Sequence, residues 1–100
     1  MKSSYGFFKL QEEMGELNQV LGKIGAFPDT EDHPDGGPPL TDRAEDELAD
    51  VMAACRYFAE RNDLNLGKIS DRSKEKLAKF RHWGLTDHSG KEPSRTEVGT

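Results

Sequence analysis

Two short segments of the chain repeat one arrangement of residues. Glu13-Met14-Gly15-Glu16-Leu17 and Glu47-Leu48-Ala49-Asp50-Val51 both read glutamate, large apolar residue, small residue, acid, apolar residue. On a helix, side chains three residues apart come within about 5–6 Å of each other, so each segment holds two carboxylates together. If two such helices pack antiparallel about 8–10 Å apart, the four acids converge at the seam. Carboxylates that close repel, and either hold protons more tightly or recruit a cation. Their hard oxygen ligands suit Mg²⁺ or Mn²⁺. A single Glu-x-x-Glu is most often solvated helix charge; what sets these apart is their repetition. The small Gly15 and Ala49 between the acids leave space for a partner or ligand.

The elements that must carry these acids are helices. From about Phe7 to Ile24, Leu10, Met14, Leu17, Leu21 and Ile24 recur at spacings of four and three, a continuous apolar stripe. A second helix is predicted to start at a capping box, Asp42 with Glu45, and to run to about Arg61. Its apolar face is Ala44, Leu48, Val51, Met52, Cys55, Phe58 and Ala59. At 100° per residue, Glu13 and Glu16 fall roughly 60° and 120° to one side of the first stripe, and Glu47 and Asp50 roughly 80° and 140° to the same side of the second. Asn65 is placed to cap a third helix from Leu66 to Trp83, ended by Gly84. Residues 25–41, GAFPDTEDHPDGGPPLT, hold four of the five prolines and cannot be helix or central strand. That segment reads as a long linker or as a lid over a site.

The chain has 100 residues, enough for one domain, here 1–84 with a flexible tail over 85–100. Charged residues are 33% and the net charge is −5, which argues against a nucleic-acid binder, since that needs a basic face. No apolar run is long enough to span a bilayer, and Met1–Tyr5 has no apolar signal core, so no membrane is involved and a cytoplasmic location is expected. The single cysteine, Cys55, excludes an intramolecular disulfide framework and reads as a small core residue. The fold class expected is all-α, about three helices per chain. Their narrow stripes do not close a bundle alone, so oligomerisation is expected to complete it.

The paired motif, Leu10-Gln11-Glu12-Glu13-Met14-Gly15-Glu16-Leu17 followed by Glu45-Asp46-Glu47-Leu48-Ala49-Asp50-Val51, resembles the Glu-x-x-Glu … Glu-x-x-Asp signature of the MazG-like nucleotide pyrophosphohydrolases. The resemblance covers about residues 7–83. It implies an all-α enzyme that hydrolyses nucleoside triphosphates, dNTPs among them, between the α- and β-phosphates, giving a nucleoside monophosphate and pyrophosphate. It also implies Mg²⁺ held by Glu13, Glu16, Glu47 and Asp50, and a homodimer or homotetramer. By the same resemblance Lys76, with Lys79 one turn on, contacts the phosphates. The asparagine that often accompanies that lysine is missing, with Lys74 or Phe80 in its place. Longer members also carry a further helix before the first motif, where this chain has twelve residues.

Glu12 and Glu45 neighbour the motifs but their helical angles turn them from the cluster. His33, His82 and His88 are isolated from one another, and no Glu-x-x-His occurs, so a histidine-containing carboxylate site is not expected. Phe27 and Trp83 are candidates for packing at helix ends or for stacking on a base. Two alternatives share these observations. One is a phosphoribosyl-ATP pyrophosphohydrolase, which has the same architecture and acid logic. The other is a non-catalytic helical interaction module whose acids only solubilise it.

Overall fold

A computed structural model describes residues 4–86, with side chains placed over 5–84. It contains three helices, α1 (Ser4–Ala26), α2 (Leu40–Arg61) and α3 (Leu66–Thr86), and among the described residues no strand. The all-α expectation holds. The chain divides into two units, residues 1–64 and 65–100.

In the first unit α1 and α2 pack against each other as an antiparallel hairpin. The residues that meet across the seam coincide only in part with the apolar stripes: Ala59 is buried and Leu10, Leu17 and Val51 are half-buried, but other stripe residues are not covered. Val20 of α1 and Leu40, Ala54 and Ala59 of α2 are the buried apolar residues. Glu13 lies seven residues before Val20, and Glu47 lies seven from both Leu40 and Ala54, so both glutamates fall on the packing face. Met14, Leu21, Leu48 and Met52 are left 50%, 52%, 50% and 72% exposed. Cys55, expected in the core, is exposed: it belongs to the stripe that α1 does not cover. At one end of the hairpin Gly6 is buried, and a Cβ built on it would lie 3.4 Å from the Phe58 Cα. Glycine there permits the close approach of the two backbones.

α2 begins two residues before the expected cap. The Asp42–Glu45 capping box does not form; Pro39 stands at the cap position with no side-chain bond. The cap comes instead from Glu31, ten residues upstream, whose carboxylate accepts the Thr41 N–H at 2.8 Å and the Thr41 hydroxyl at 2.6 Å. Those two bonds, the hydroxyl's first, hold the Glu31 carboxyl below its ordinary pKa. Burial of Leu40 together with this remote acceptor outweighs the local cap signal. α2 ends in a Schellman motif: the Leu64 N–H reaches the Ala59 carbonyl at 2.9 Å and the Asp63 N–H reaches that of Glu60 at 3.3 Å. Asp63 takes the left-handed conformation this requires, φ 54°.

Residues 27–39 between the helices form a folded strap, so the linker-like composition hides local order. The Leu40 N–H donates to the Glu31 carbonyl at 2.9 Å, closing the loop. Asp35 is its hub. Arg43 grips the carboxylate through both terminal nitrogens at 2.8 and 2.9 Å, and its Nε donates to the Pro38 carbonyl at 2.7 Å. The Gly37 N–H donates to the same carboxylate at 3.0 Å, and Lys23 of α1 approaches it at 3.4 Å. Arg43 first, then the Gly37 amide, drives the Asp35 carboxyl far below the ordinary range.

α3, in the second unit, starts as expected: the Asn65 side chain accepts the Lys68 N–H at 3.0 Å. It does not stop at Gly84 but continues to Thr86. Gly84 keeps helical backbone, since Gly36 is the one described glycine with positive φ. Residues 85 and 86 are therefore helix rather than tail, and the rest of the expected flexible tail lies outside the described residues.

The Gly37 position yields a test of the strap. A Cβ built there would lie 2.5 Å from an Arg43 terminal nitrogen. Arg43 is long enough to move aside, so the cost of Gly37→Ala is the loss of the bidentate grip on Asp35 rather than a steric clash. Gly37→Ala should lower the melting temperature in wild type and do almost nothing in an Arg43→Met background. A double-mutant cycle by thermal denaturation measures the coupling, and additive effects would break the link between the two residues.

Candidate functional site

The seam of the hairpin brings the four predicted acids together. Glu13, Glu47 and Asp50 each offer a carboxylate oxygen, all within 4.8 Å of one another. Glu13 also belongs to a second triad of the same closeness with Glu12 and Glu16. Glu13 is thus the common member, placed on the packing face by its seven-residue offset from Val20. Glu12, set aside on helical angle, does lie beside the cluster. It is exposed, and it pairs with Lys9 at 3.4 Å. Glu45, also set aside, lies elsewhere and lines a small cavity of about 230 Å³ under the strap with Ile24, Phe27 and Leu48.

The electrostatics are those of crowded, partly desolvated anions. The Glu13 carboxyl is pushed above its ordinary pKa by burial first, then by the charges of Glu16, Asp50 and Glu47. The Glu47 carboxyl is pushed up by burial, by the charges of Glu16 and Asp50, and by a hydrogen-bonding contact with Glu16. Glu13 Oε2 and Glu47 Oε2 are shut off from solvent and receive no hydrogen bond from the protein. A shielded carboxylate oxygen without a donor costs free energy unless a proton or cation reaches it. Glu13 and Glu47 belong to one triad with Asp50, so a single cation held by that triad would offset the charge of both. The donor set is all oxygen, with no histidine or cysteine, which matches Mg²⁺ or Mn²⁺ rather than a softer metal.

An open cavity of about 540 Å³ adjoins the acids, with Glu13 and Asp50 in its wall beside Tyr5, Lys9 and Tyr57. None of these three stands out from the sequence motifs. The signal was there: Tyr5 and Lys9 precede Glu13 by eight and four residues, and Tyr57 follows Asp50 by seven, so all fall near the acids' side of their helices. The residues that sequence did suggest for stacking have other partners. Phe27 stands edge-on to His33 in the strap with ring centres 5.0 Å apart, and Trp83 packs on Phe80 in α3 at 5.7 Å. His33 accepts the Asp35 N–H at Nδ1, 3.1 Å away, and is a strap residue. Lys76, half-buried, and Lys79, exposed, lie on α3 within the second unit.

No protein-family model, curated protein or solved structure matches the chain.

The raised carboxyls fix a pH dependence. A group whose folded-state pKa exceeds its unfolded value, about 4.3 for glutamate, favours the folded state fully below that value and loses that contribution as pH rises through the folded pKa. Glu13 and Glu47 therefore weaken the metal-free fold as pH rises above the ordinary glutamate range. Asp35 and Glu31 carry lowered values and work the other way, losing their contribution only as pH falls below the ordinary carboxylate range. Glu47→Gln removes one raised group and leaves the strap alone. In EDTA, its melting temperature should exceed that of wild type by a margin that widens as pH rises above the ordinary glutamate range; a margin constant with pH would mean that Glu47 is an ordinary solvated acid.

Proposed function

We propose that the chain is a divalent-metal-dependent nucleotide pyrophosphohydrolase that cleaves nucleoside triphosphates between the α- and β-phosphates. The observation that carries this reading is the pair of shielded, unsatisfied oxygens, Glu13 Oε2 and Glu47 Oε2, in a four-acid seam. The resemblance of the two acidic motifs to the MazG-like signature supplies the reaction class. Glu13, Glu16, Glu47 and Asp50 would hold Mg²⁺, or Mn²⁺ in its place. When bound, the ion supplies neutralisation of the triphosphate charge and acidification of a water.

The protein's own groups do the rest. Water adds to the α-phosphorus as the α–β anhydride P–O bond breaks, and pyrophosphate departs with the bonding electron pair. The water proton passes to a seam carboxylate acting as general base. No serine or cysteine nucleophile is needed. Lys76 and Lys79 are the phosphate contacts that the resemblance implies. The reading places the activity in the cytoplasm, where nucleotide pools are held.

Two experiments test this. Incubated with Mg²⁺ and a panel of NTPs and dNTPs, the protein should release pyrophosphate and a monophosphate from at least one nucleotide, and EDTA should abolish the reaction. Release of orthophosphate alone would mean a different reaction class. Mg²⁺ should also raise the melting temperature of wild type, since binding to the native state stabilises by about 2.7 kcal/mol at a hundredfold excess over Kd. Glu47→Gln should lose both that response and turnover; an unchanged Mg²⁺ shift in the variant would remove Glu47 from the ligand set.

The reading includes a homodimer or homotetramer. Turning about 100° per residue, Met14, Leu21 and Leu48 emerge on the flank of the hairpin opposite Glu16 and Asp50. A contiguous exposed apolar flank of this kind is what a second copy would cover. Light scattering at micromolar concentration should therefore give a dimer or larger, and Met52→Glu with Leu21→Glu should shift it toward monomer. A wild-type monomer would overturn the assembly.

A further inference from the structure

We infer that Tyr57, with Tyr5, is the nucleobase platform of the site, and that Lys9 is a phosphate contact supplied by the hairpin itself. The inference rests on the nucleotide reading above and goes beyond it by assigning the residues that recognise the substrate. All three line the 540 Å³ cavity that shares Glu13 and Asp50 with the acid cluster, a volume within the range of small-ligand pockets, roughly 300–1,000 Å³.

Tyr57 is built to hold still. It is half-buried, with the Tyr5 ring edge-on to it at 5.8 Å and 88°, and the Arg61 guanidinium 5.9 Å from its ring centre. The Gly6 approach to Phe58 holds the two helix ends that carry these tyrosines together. Ala53 and Ala54 line the cavity between Asp50 and Tyr57, and their small side chains leave its floor open. Tyr57 stands seven residues beyond Asp50, about 10 Å along the helix axis, so a nucleotide with its phosphates at the acids would extend its base toward the tyrosines. An aromatic face there stacks on any base, which suits a broad nucleotide class.

Lys9 stands one turn before Glu13 on the same side of α1 and is the one cation in the cavity wall. Its present partner, Glu12, is an exposed neighbour three residues away at 3.4 Å, the kind of pair that solvent loosens easily. A polyphosphate chain entering the cavity would offer it more charge. Glu12 and Glu13 both favour its protonated form, so it meets that chain as a cation.

The test separates base from phosphate. Calorimetric titrations with Mg²⁺ would use the α,β-methylene analogues of the four common dNTPs, with inorganic tripolyphosphate as the base-free probe. Tyr57→Ala should weaken the best nucleotide analogue about tenfold and leave tripolyphosphate binding unchanged, while Tyr57→Phe behaves as wild type. Tyr5→Ala, at a 62% exposed position, gives the same direction should Tyr57→Ala not fold. Lys9→Gln should weaken nucleotide and tripolyphosphate alike, and raise KM more than it lowers kcat. If wild type binds and hydrolyses nucleotides but these variants bind as it does, the platform and the Lys9 contact are wrong and the function stands. If wild type binds neither probe, the nucleotide reading itself falls, and the inference with it.

Discussion

Everything in the first unit turns on carboxylates placed where a helix pair ordinarily puts leucine. Glu13 and Glu47 sit in the same heptad-spaced rows as the buried Val20, Leu40 and Ala54, so α1 and α2 cannot pack closely without bringing the two acids together. Packing and charge are then in direct opposition at the middle of the seam. The hairpin is fastened at its two ends instead. At one end Gly6 allows contact with the Phe58 backbone, and at the other the strap ties α1 to α2 through Lys23, Asp35 and Arg43. A central layer of unsatisfied oxygens between two fixed ends is a poor way to make a stable pair of helices and a good way to hold a cation.

The same constraint explains how far the sequence could be read. The helices, the Asn65 cap and the closeness of the acids within each helix are legible because each rests on local spacing. A 3.6-residue period marks a helix wherever it lies, and an i, i+3 pair of acids stays a pair in any packing. The packing face is legible only in part. Hydrophobic periodicity assigns Leu10, Met14, Leu17, Leu21 and Ile24 to the interior, yet Met14 and Leu21 are exposed while Glu13 lies on the seam. Rotation of a helix about its axis depends on what the partner presents, and here the partner presents Glu47 and small alanines. Cys55 went wrong for that reason, and so did the omission of Tyr5, Lys9 and Tyr57, which matter only once both helices face each other.

The strap shows the complementary failure. Its prolines and glycines correctly forbid regular structure, but composition is blind to Asp35 and Arg43, eight residues apart, closing on each other. Glu31 capping α2 from ten residues upstream is equally invisible to a rule that looks for a cap in the adjacent residues. Each of these contacts needs the loop already closed, and each helps to close it. Gly37 is the small piece that lets this happen, since a side chain at that position would occupy the space of the guanidinium.

A division of labour between the two flanks of the hairpin follows from these placements. On one flank Tyr5, Lys9, Glu13, Asp50 and Tyr57 surround an open cavity; on the other lie Met14, Leu21, Leu48 and Met52. A ligand needs the first flank free, and the second is costly to leave in water. Each exposed apolar side chain there forgoes up to about 1.5–3 kcal/mol of burial free energy, against a native stability of only about 5–15 kcal/mol for a domain. With four buried apolar residues among those described, the hairpin has little interior of its own to set against a seam of repelling acids. A cation at the seam and a second copy over the other flank, as proposed, would therefore act on the same deficit. Metal binding would relieve the charge at the seam, and burial of the opposite flank would supply the apolar contact that the seam, with its two glutamates, does not. Loss of either should weaken the other, because both draw on the rigid placement of α1 against α2.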